Sequence, residues 1–301
     1  MLQITRHGSR SPLMTYPNDP YPYYDLNYWP AGVGQLTKYG HQQLYVSGQN
    51  YRRRYNGFLP LEYNVNNTLA RTNLYDRDFM SAACFLAGLF PPQGYQLWNP
   101  KIPWQPIPIW EEPFDVSDYL QLVRVCPSYA VEMVKATKEL NDQLLDANRD
   151  LLDYLSVNSG INITTIGEIH SIWDALTMQF ENGYKLPSWA KSVYPDKMAP
   201  LYAEMFYSAV GGTPKMIRLT GGPVIRNVSN MLNSKAAGSM KPAGRLVYLE
   251  AAHDFTLQAL LAALGITNKM LINTSASMAF ELHKPRLAEY HVQVCQSIFI
   301  K

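Results

Sequence analysis

Met1-Leu2-Gln3-Ile4-Thr5-Arg6-His7-Gly8-Ser9-Arg10-Ser11-Pro12 opens the chain, and its reading decides the fold. The first residues are few and largely apolar, which predicts a β-strand. The strand runs straight into Arg-His-Gly-Ser-Arg. A histidine between two arginines suits a core poorly and an anion well. Nearby positive charge disfavours the imidazolium, so the ring is neutral and nucleophilic more of the time. The forked guanidinium donors match the oxygens of a phosphate. Ligands of open α/β sheets bind beyond the carboxyl ends of strands, which is where His7 would stand.

A second unit of the same kind lies far downstream. Residues 245–250 read as a strand, Ala251-Ala252-His253-Asp254 follows, and 255–264 reads as a helix closed by Gly265. Asp254 is placed to cap that helix. Thr68-Leu69-Ala70 is a short strand candidate leading into Arg71. Helical patterns cover 34–55, ending in the basic triplet Arg52-Arg53-Arg54, and 76–90, stopped by Pro91-Pro92. In the middle, 128–157 places Leu140, Leu144, Leu151 and Leu155 on one helical face, and further helices are expected over 165–180 and 201–210. The Pro/Tyr-rich stretch 16–30 is a loop, and 93–113, rich in proline and holding Trp98, Trp104 and Trp110, is expected to form no regular element. Strands over 278–282 and 289–294 close the sequence. The expected fold class is α/β: a central mixed, mostly parallel sheet flanked by helices, with a helix-rich cap inserted in the middle. Residues 1–95 and 207–301 would form the catalytic part and 96–206 the cap.

At 301 residues the chain can bury a large core. Its 47% hydrophobic and 17% charged residues are ordinary for a folded protein, and a net charge of +2 argues against a nucleic-acid or polyanion surface. No run is long and apolar enough for a membrane-spanning helix. Glycosylation acceptor patterns at Asn66, Asn162, Asn227 and Asn273 favour a secreted or lysosomal protein, whose leader would precede Met1. Cys84, in an apolar run, reads as a small core residue. Cys126 and Cys295 could form a disulfide, though sequence alone does not pair them. His41, His170, His283 and His291 have no motif around them and are assigned to surface or packing. No Cys/His or carboxylate spacing suits a metal site, so no metal and no other cofactor is expected.

These motifs, taken in order, give the chain a resemblance to the histidine acid phosphatases, in particular the prostatic and lysosomal group of animals. Arg6-His7-Gly8-Ser9-Arg10-Ser11-Pro12 resembles the family's opening motif, and Trp29-Pro-Ala-Gly-Val-Gly-Gln-Leu-Thr37 the approach to its first helix. Arg71-Thr-Asn-Leu-Tyr-Asp-Arg77, Met80-Ser81-Ala82 and Ala87-Gly88-Leu89-Phe90-Pro91-Pro92 resemble its second arginine motif. Leu186-Pro187-Ser188-Trp189, Gly221-Gly222 and His253-Asp254 follow in the family's order. The resemblance implies hydrolysis of phosphate monoesters, of small molecules or phosphoproteins, through a phosphohistidine on His7. Asp254 would be the general acid, and Arg6, Arg10, Arg71 and His253 would bind the phosphate. Arg77 is assigned a structural role, and Trp173 a place on the pocket rim. The resemblance also admits a homodimer and implies a cysteine-bearing tail that would pair with Cys126. Asn273-Thr-Ser-Ala-Ser277 replaces the family's usual proline-tyrosine segment and is expected to alter the pocket wall. Two other readings are a phytase-like enzyme and a catalytically weak or inactive secreted binding protein on the same fold.

Overall fold

The computed structural model describes residues 1–111, 126–285 and 289–297. Strand β1 (Leu2–Arg6) is buried along its whole length. It lies between β4 (Val247–Ala252), parallel to it, and β5 (Ser277–His283), antiparallel. Beyond β4 lies β2 (Thr68–Thr72), also parallel, and beyond β2 the short β3 (Ile109–Glu111). β6 (His291–Ser297) pairs antiparallel with β5, so the order is β3-β2-β4-β1-β5-β6. The sheet is mixed, with its parallel part on one side of β1 and its antiparallel part on the other. β3 corrects the expectation that 93–113 holds no regular element, as does a 3₁₀ turn at Gly94–Gln96. At the sheet's edge only one side of a strand must pair, so the prolines just before Ile109 are tolerated.

Helices cover both faces. α1 (Lys38–Arg54) and α2 (Asp76–Leu89) bury Leu44, Tyr51, Phe85 and Leu86 against Ala70, Val247, Leu249 and Ala279 of the sheet. α1 begins later than its sequence pattern because the Thr37 side chain caps it, accepting from the Gly40 N–H. On the opposite face, α7 (Pro214–Ala236) and α8 (Asp254–Ala263) bury Val224, Val228, Leu257 and Leu260 against Leu2, Ile4, Met278 and Phe280. α7 was not expected, since Gly221-Gly222-Pro223 interrupts its middle. Packing overrides that local signal. Met216, Thr220, Val224 and Val228 form one buried stripe at helical spacing. A side chain at Gly221 would meet the Ala259 carbonyl oxygen at 2.2 Å, so glycine is what lets α7 approach α8.

The third core belongs to the helical region. α4 (Arg149–Ser159), α5 (Ile169–Glu181) and α6 (Met198–Gly211) enclose Leu155, Ile169, Ile172, Leu176, Leu201 and the loop residue Tyr16. The helix expected over 128–157 is two helices, α3 (Pro127–Ala147) and α4, because Asn148 leaves helical geometry and its side-chain amide donates to the Leu144 carbonyl at 2.9 Å. The expected boundary between cap and catalytic part falls inside α6. Cys126, at the start of α3, and Cys295, on β6, are both free thiols, so the disulfide that the sequence allowed between them is not formed. Cys84 is also free and half-buried, and burial pushes its thiol pKa up. No helix among the described residues is long and apolar enough to cross a membrane.

One carboxylate ties β5 to the end of α1. Glu281 Oε1 accepts from Arg54 Nε and Nη2 at 3.1 and 2.9 Å and from the Tyr55 hydroxyl at 2.6 Å. Its Oε2 lies 3.0 Å from His283 Nε2. Burial pushes this carboxyl up, but the hydrogen bonds from Tyr55, Arg54 and His283 prevail and hold its pKa at about 2, against an ordinary 4.5. The folded value is the lower one, so the contribution is complete above 4.5 and is lost as pH falls toward 2. Glu281→Gln should therefore lower unfolding free energy by about 1–3 kcal/mol near neutral pH. In urea titrations the difference from wild type should shrink steadily as the pH is taken below 4.5.

Candidate active site

The parallel register of β1 and β4 sets Arg6 beside Ala252, so both strands end at one level. His7 and His253 are the next residues. The His7 N–H donates to the Ala252 carbonyl at 3.0 Å, continuing the ladder by one step, and the two imidazoles meet edge to face at 5.6 Å. Both are buried, at 3% and 6% exposure.

The loop after β1 is clamped from three directions. Its Gly8 N–H donates to Ser81 Oγ on α2 at 3.1 Å, and its Ser9 N–H to Gln43 Oε1 on α1 at 2.8 Å. A side chain at Gly40 would strike the Ser9 carbonyl oxygen at 2.0 Å, so α1 rests directly on the loop backbone. Gln43 passes the connection on through Nε2 to Thr274 Oγ1 at 3.0 Å, and Thr274 donates to Glu181 of α5. The Ser275 N–H donates to the His7 carbonyl at 2.9 Å. The segment Asn273-Thr-Ser-Ala-Ser277, expected to alter the pocket wall, thus forms part of that wall and braces the loop.

His7 Nδ1 lies 2.9 Å from the Gly8 carbonyl oxygen, which accepts only, so Nδ1 carries the proton and Nε2 keeps its lone pair. Burial first, then the charges of Arg6, Arg10, Arg77 and His253, hold the His7 pKa well below its ordinary value. The ring therefore resists protonation more than a free imidazole does. Arg77 is among those charges, beyond the structural role the sequence suggested. The sequence reading gave Arg71 to the phosphate and Arg77 to structure. Arg71 lies within β2, opposite Glu250 and Trp110 in the strand register. Arg77 stands in the first turn of α2, its guanidinium stacked on Tyr75 at 4.3 Å, and its charge acts on His7 and Arg10.

Each arginine nearest the pocket meets a carboxylate. Arg6 Nη2 pairs with Asp254 Oδ2 at 2.8 Å, and its Nη1 donates to the Ile272 carbonyl. Arg10 makes a two-pronged pair with Asp174 of α5, at 2.7 and 3.2 Å, with both side chains nearly sealed from solvent. Asp174 escaped the sequence reading because its partner is remote in the chain and its helix otherwise reads as apolar. Burial pushes the Asp174 carboxyl up, but Arg10 outweighs it and keeps the group below its ordinary value. Asp254 is the first residue of α8 rather than its cap, a place taken by His253. Burial also pushes Asp254 up, while Arg6 and His253 prevail and hold it below its ordinary value. Asp78, a further residue the sequence reading passed over, is fully buried 3.0 Å from His253 Nε2.

Arg6, Arg10 and Asp254 open into a pocket walled by Trp173, Asp174, Tyr202 and Phe206. Trp173 is half-buried and stacks on Tyr202, with ring centroids 4.8 Å apart. His170, assigned to surface or packing, also lines the pocket, its Nδ1 2.7 Å from the Tyr202 hydroxyl. Of the glycosylation patterns, Asn66 and Asn162 are exposed. Asn227 lies inside α7 with its amide turned to Glu250, a poor acceptor site, and Asn273 borders the pocket itself.

The histidine phosphatase superfamily (branch 2) model matches residues 2–296. The chain is 34% identical to lysosomal acid phosphatase of Homo sapiens, covering 97% of this chain and 68% of that protein. It is 32% identical to prostatic acid phosphatase of Homo sapiens, covering 97% and 75%. Among solved structures it is similar in fold to the phytase from Citrobacter braakii, with a TM-score of 0.71 at 14% identity over 97% of this chain and 83% of that one. Hafnia alvei phytase in complex with myo-inositol hexakis sulphate aligns with a TM-score of 0.72 at 16% identity, covering 97% and 82%. A neutral buried histidine at the strand ends, set among arginines, is thus matched by similarity along the whole length, and the chain belongs to branch 2 of the histidine phosphatase superfamily.

Proposed function

We propose that this phosphatase hydrolyses phosphate monoesters in two displacements, with His7 as nucleophile and Asp254 as proton donor. The observation that carries the reading is His7 itself: buried, neutral, with Nδ1 anchored and Nε2 free beside Arg6, Arg10 and Arg77. Nε2 forms a bond to phosphorus while the bond to the ester oxygen breaks. Asp254 gives its proton to the departing alkoxide, which is otherwise a poor leaving group. Water then attacks phosphorus, Asp254 takes up its proton, and His7 leaves as neutral imidazole. The arginines and His253 hold the non-bridging oxygens as charge shifts among them.

In the ligand-free protein Asp254 is an ion-paired carboxylate, the wrong state for an acid. A bound phosphate dianion engages Arg6 and adds negative charge nearby, and both effects raise the Asp254 pKa. Substrate thus loads the acid that the first step consumes. The carboxylates Asp174 and Asp254 offset the charge of Arg10 and Arg6, which favours a single phosphate group over a polyphosphate. A phytase-like activity is the second reading, favoured by the shared fold, and phytate belongs in the substrate panel. A secreted or lysosomal location accords with the names of the relatives and with exposed Asn66 and Asn162 as carbohydrate acceptors.

Hydrolysis of p-nitrophenyl phosphate near pH 5, with EDTA present, tests the mechanism. His7→Ala should lose at least roughly a thousandfold in kcat, and activity unchanged by that substitution would sink the reading. A folded wild type without activity on any monoester would favour the binding-protein alternative. Asp254→Asn should cost about 10²–10⁴-fold on an alkyl phosphate and distinctly less on the p-nitrophenyl ester, whose leaving group needs little protonation.

Arg77→Ala should reduce kcat/KM by about a hundredfold, the scale of one lost charge-stabilising donor. Folded Arg71→Ala should stay within about tenfold of wild type. The reverse order would restore Arg71 to the phosphate site.

His7 also sets an acid limit on stability. The unfolded chain takes a proton on this imidazole below about pH 6.5, whereas the folded protein resists it. Wild type therefore loses stability as pH falls through that value. In phosphate-free buffer, the Tm of His7→Gln relative to wild type should rise on going from mildly alkaline to mildly acidic pH. A constant difference would show that His7 takes up its proton alike in the folded and the unfolded chain.

A further inference from the structure

We infer that a buried cluster at the strand ends binds a borderline divalent metal ion of the zinc class, held by His7, Asp78 and His253, and that the bound ion blocks the nucleophile. The blocking part rests on His7 being the nucleophile; the binding part does not.

Asp78 carries the argument. It lies in the first turn of α2 with no solvent exposure, and neither carboxylate oxygen accepts a hydrogen bond. His253 Nε2 comes within 3.0 Å of Oδ2, yet the geometry forms no hydrogen bond and Nε2 has no other hydrogen-bond partner. A buried carboxylate without donors is costly unless a cation completes it. One ligand atom from each of His7, Asp78 and His253 can be chosen so that all lie within 4.8 Å of one another. A zinc ion bound at about 2.0–2.1 Å draws tetrahedral ligands to about 3.3 Å apart, so modest side-chain rotation closes the site. His7 is prepared for this role: its Nδ1–H is held by the Gly8 carbonyl, the outer contact that fixes the tautomer of a metal-bound histidine. Two nitrogens and one carboxylate select zinc-class ions over magnesium or calcium. Arg6 and Arg10 are already matched by Asp254 and Asp174, which leaves Arg77, whose charge acts on both His7 and Asp78, as the cation the bound ion must compete with. Three protein ligands leave a fourth position for water or a phosphate oxygen.

The test uses the whole chain, freed of metal with EDTA and then dialysed. Zn²⁺ is titrated by calorimetry, and Co²⁺ by visible absorption, which needs no turnover. One equivalent should bind, with the intense absorption of four-coordinate cobalt. Zn²⁺ should inhibit p-nitrophenyl phosphate hydrolysis reversibly, with activity restored by EDTA. Folded Asp78→Asn and His253→Gln should each weaken metal binding at least tenfold, on the scale of a lost contact around a bound metal. If Asp78→Asn does not fold, His253→Gln and His7→Gln decide. Affinity unchanged in the folded variants, or no stoichiometric binding to wild type, would overturn the site. Tight binding that leaves hydrolysis untouched would overturn the blocking role alone. A wild type that binds cobalt but hydrolyses no monoester would support the site while counting against the phosphatase reading.

Discussion

The constraint on which everything else rests is the parallel pairing of β1 with β4. Because Arg6 and Ala252 share one level of the ladder, residues from opposite ends of the sequence leave the sheet side by side. That single register delivers Arg6, His7, His253 and Asp254 to one place. The helices then refine it. α1 and α2 fix the loop by hydrogen bonds to Gly8 and Ser9, and α8 begins where β4 ends, so Asp254 sits in the first helical turn. A one-residue slip between β1 and β4 would invert every side chain of β1 and separate the histidines.

The pocket's second organising property is compensation of charge. An arginine-lined cavity would be hard to fold in isolation, since buried cations without partners are costly. Here Arg6 leans on Asp254 and Arg10 on Asp174. The two pairs differ in kind. Asp254 retains 29% exposure and stands at the pocket, where an incoming anion can compete for Arg6, whereas Asp174 is sealed at 5% and grips Arg10 with both oxygens. One pair is exchangeable and the other belongs to the scaffold.

What the sequence made legible follows from how local each signal is. The strand and its Arg-His-Gly-Ser-Arg loop are contiguous, and so are β4 and His253-Asp254, so both could be read in place. The part of Arg77 was less legible because Arg71 and Arg77 share one motif, and only the point where β2 gives way to α2 separates strand residue from helix start. α7 was missed because Gly221-Gly222-Pro223 looks like a break, while the reason it continues, contact of Gly221 with α8, lies on another helix. Asp174 and Asp78 gave no signal at all. Their meaning depends on Arg10 and His253, distant in sequence and adjacent only once the sheet and the helical region have come together.

The placement of β1 has a consequence for biosynthesis. The ribosome makes this strand early, yet its neighbours β4 and β5 are among the last elements of the sheet to emerge. Until they do, an apolar strand with both edges open must be kept from pairing with other chains. The sheet cannot close from its centre outward as the chain lengthens; it closes when late strands arrive around an early one, an order that makes folding slow by its topology. A nascent chain halted before residue 247 has His7 but neither the strand that sets it nor His253 and Asp254 beside it. Completion of the centre of the sheet and completion of the reaction site are therefore one event.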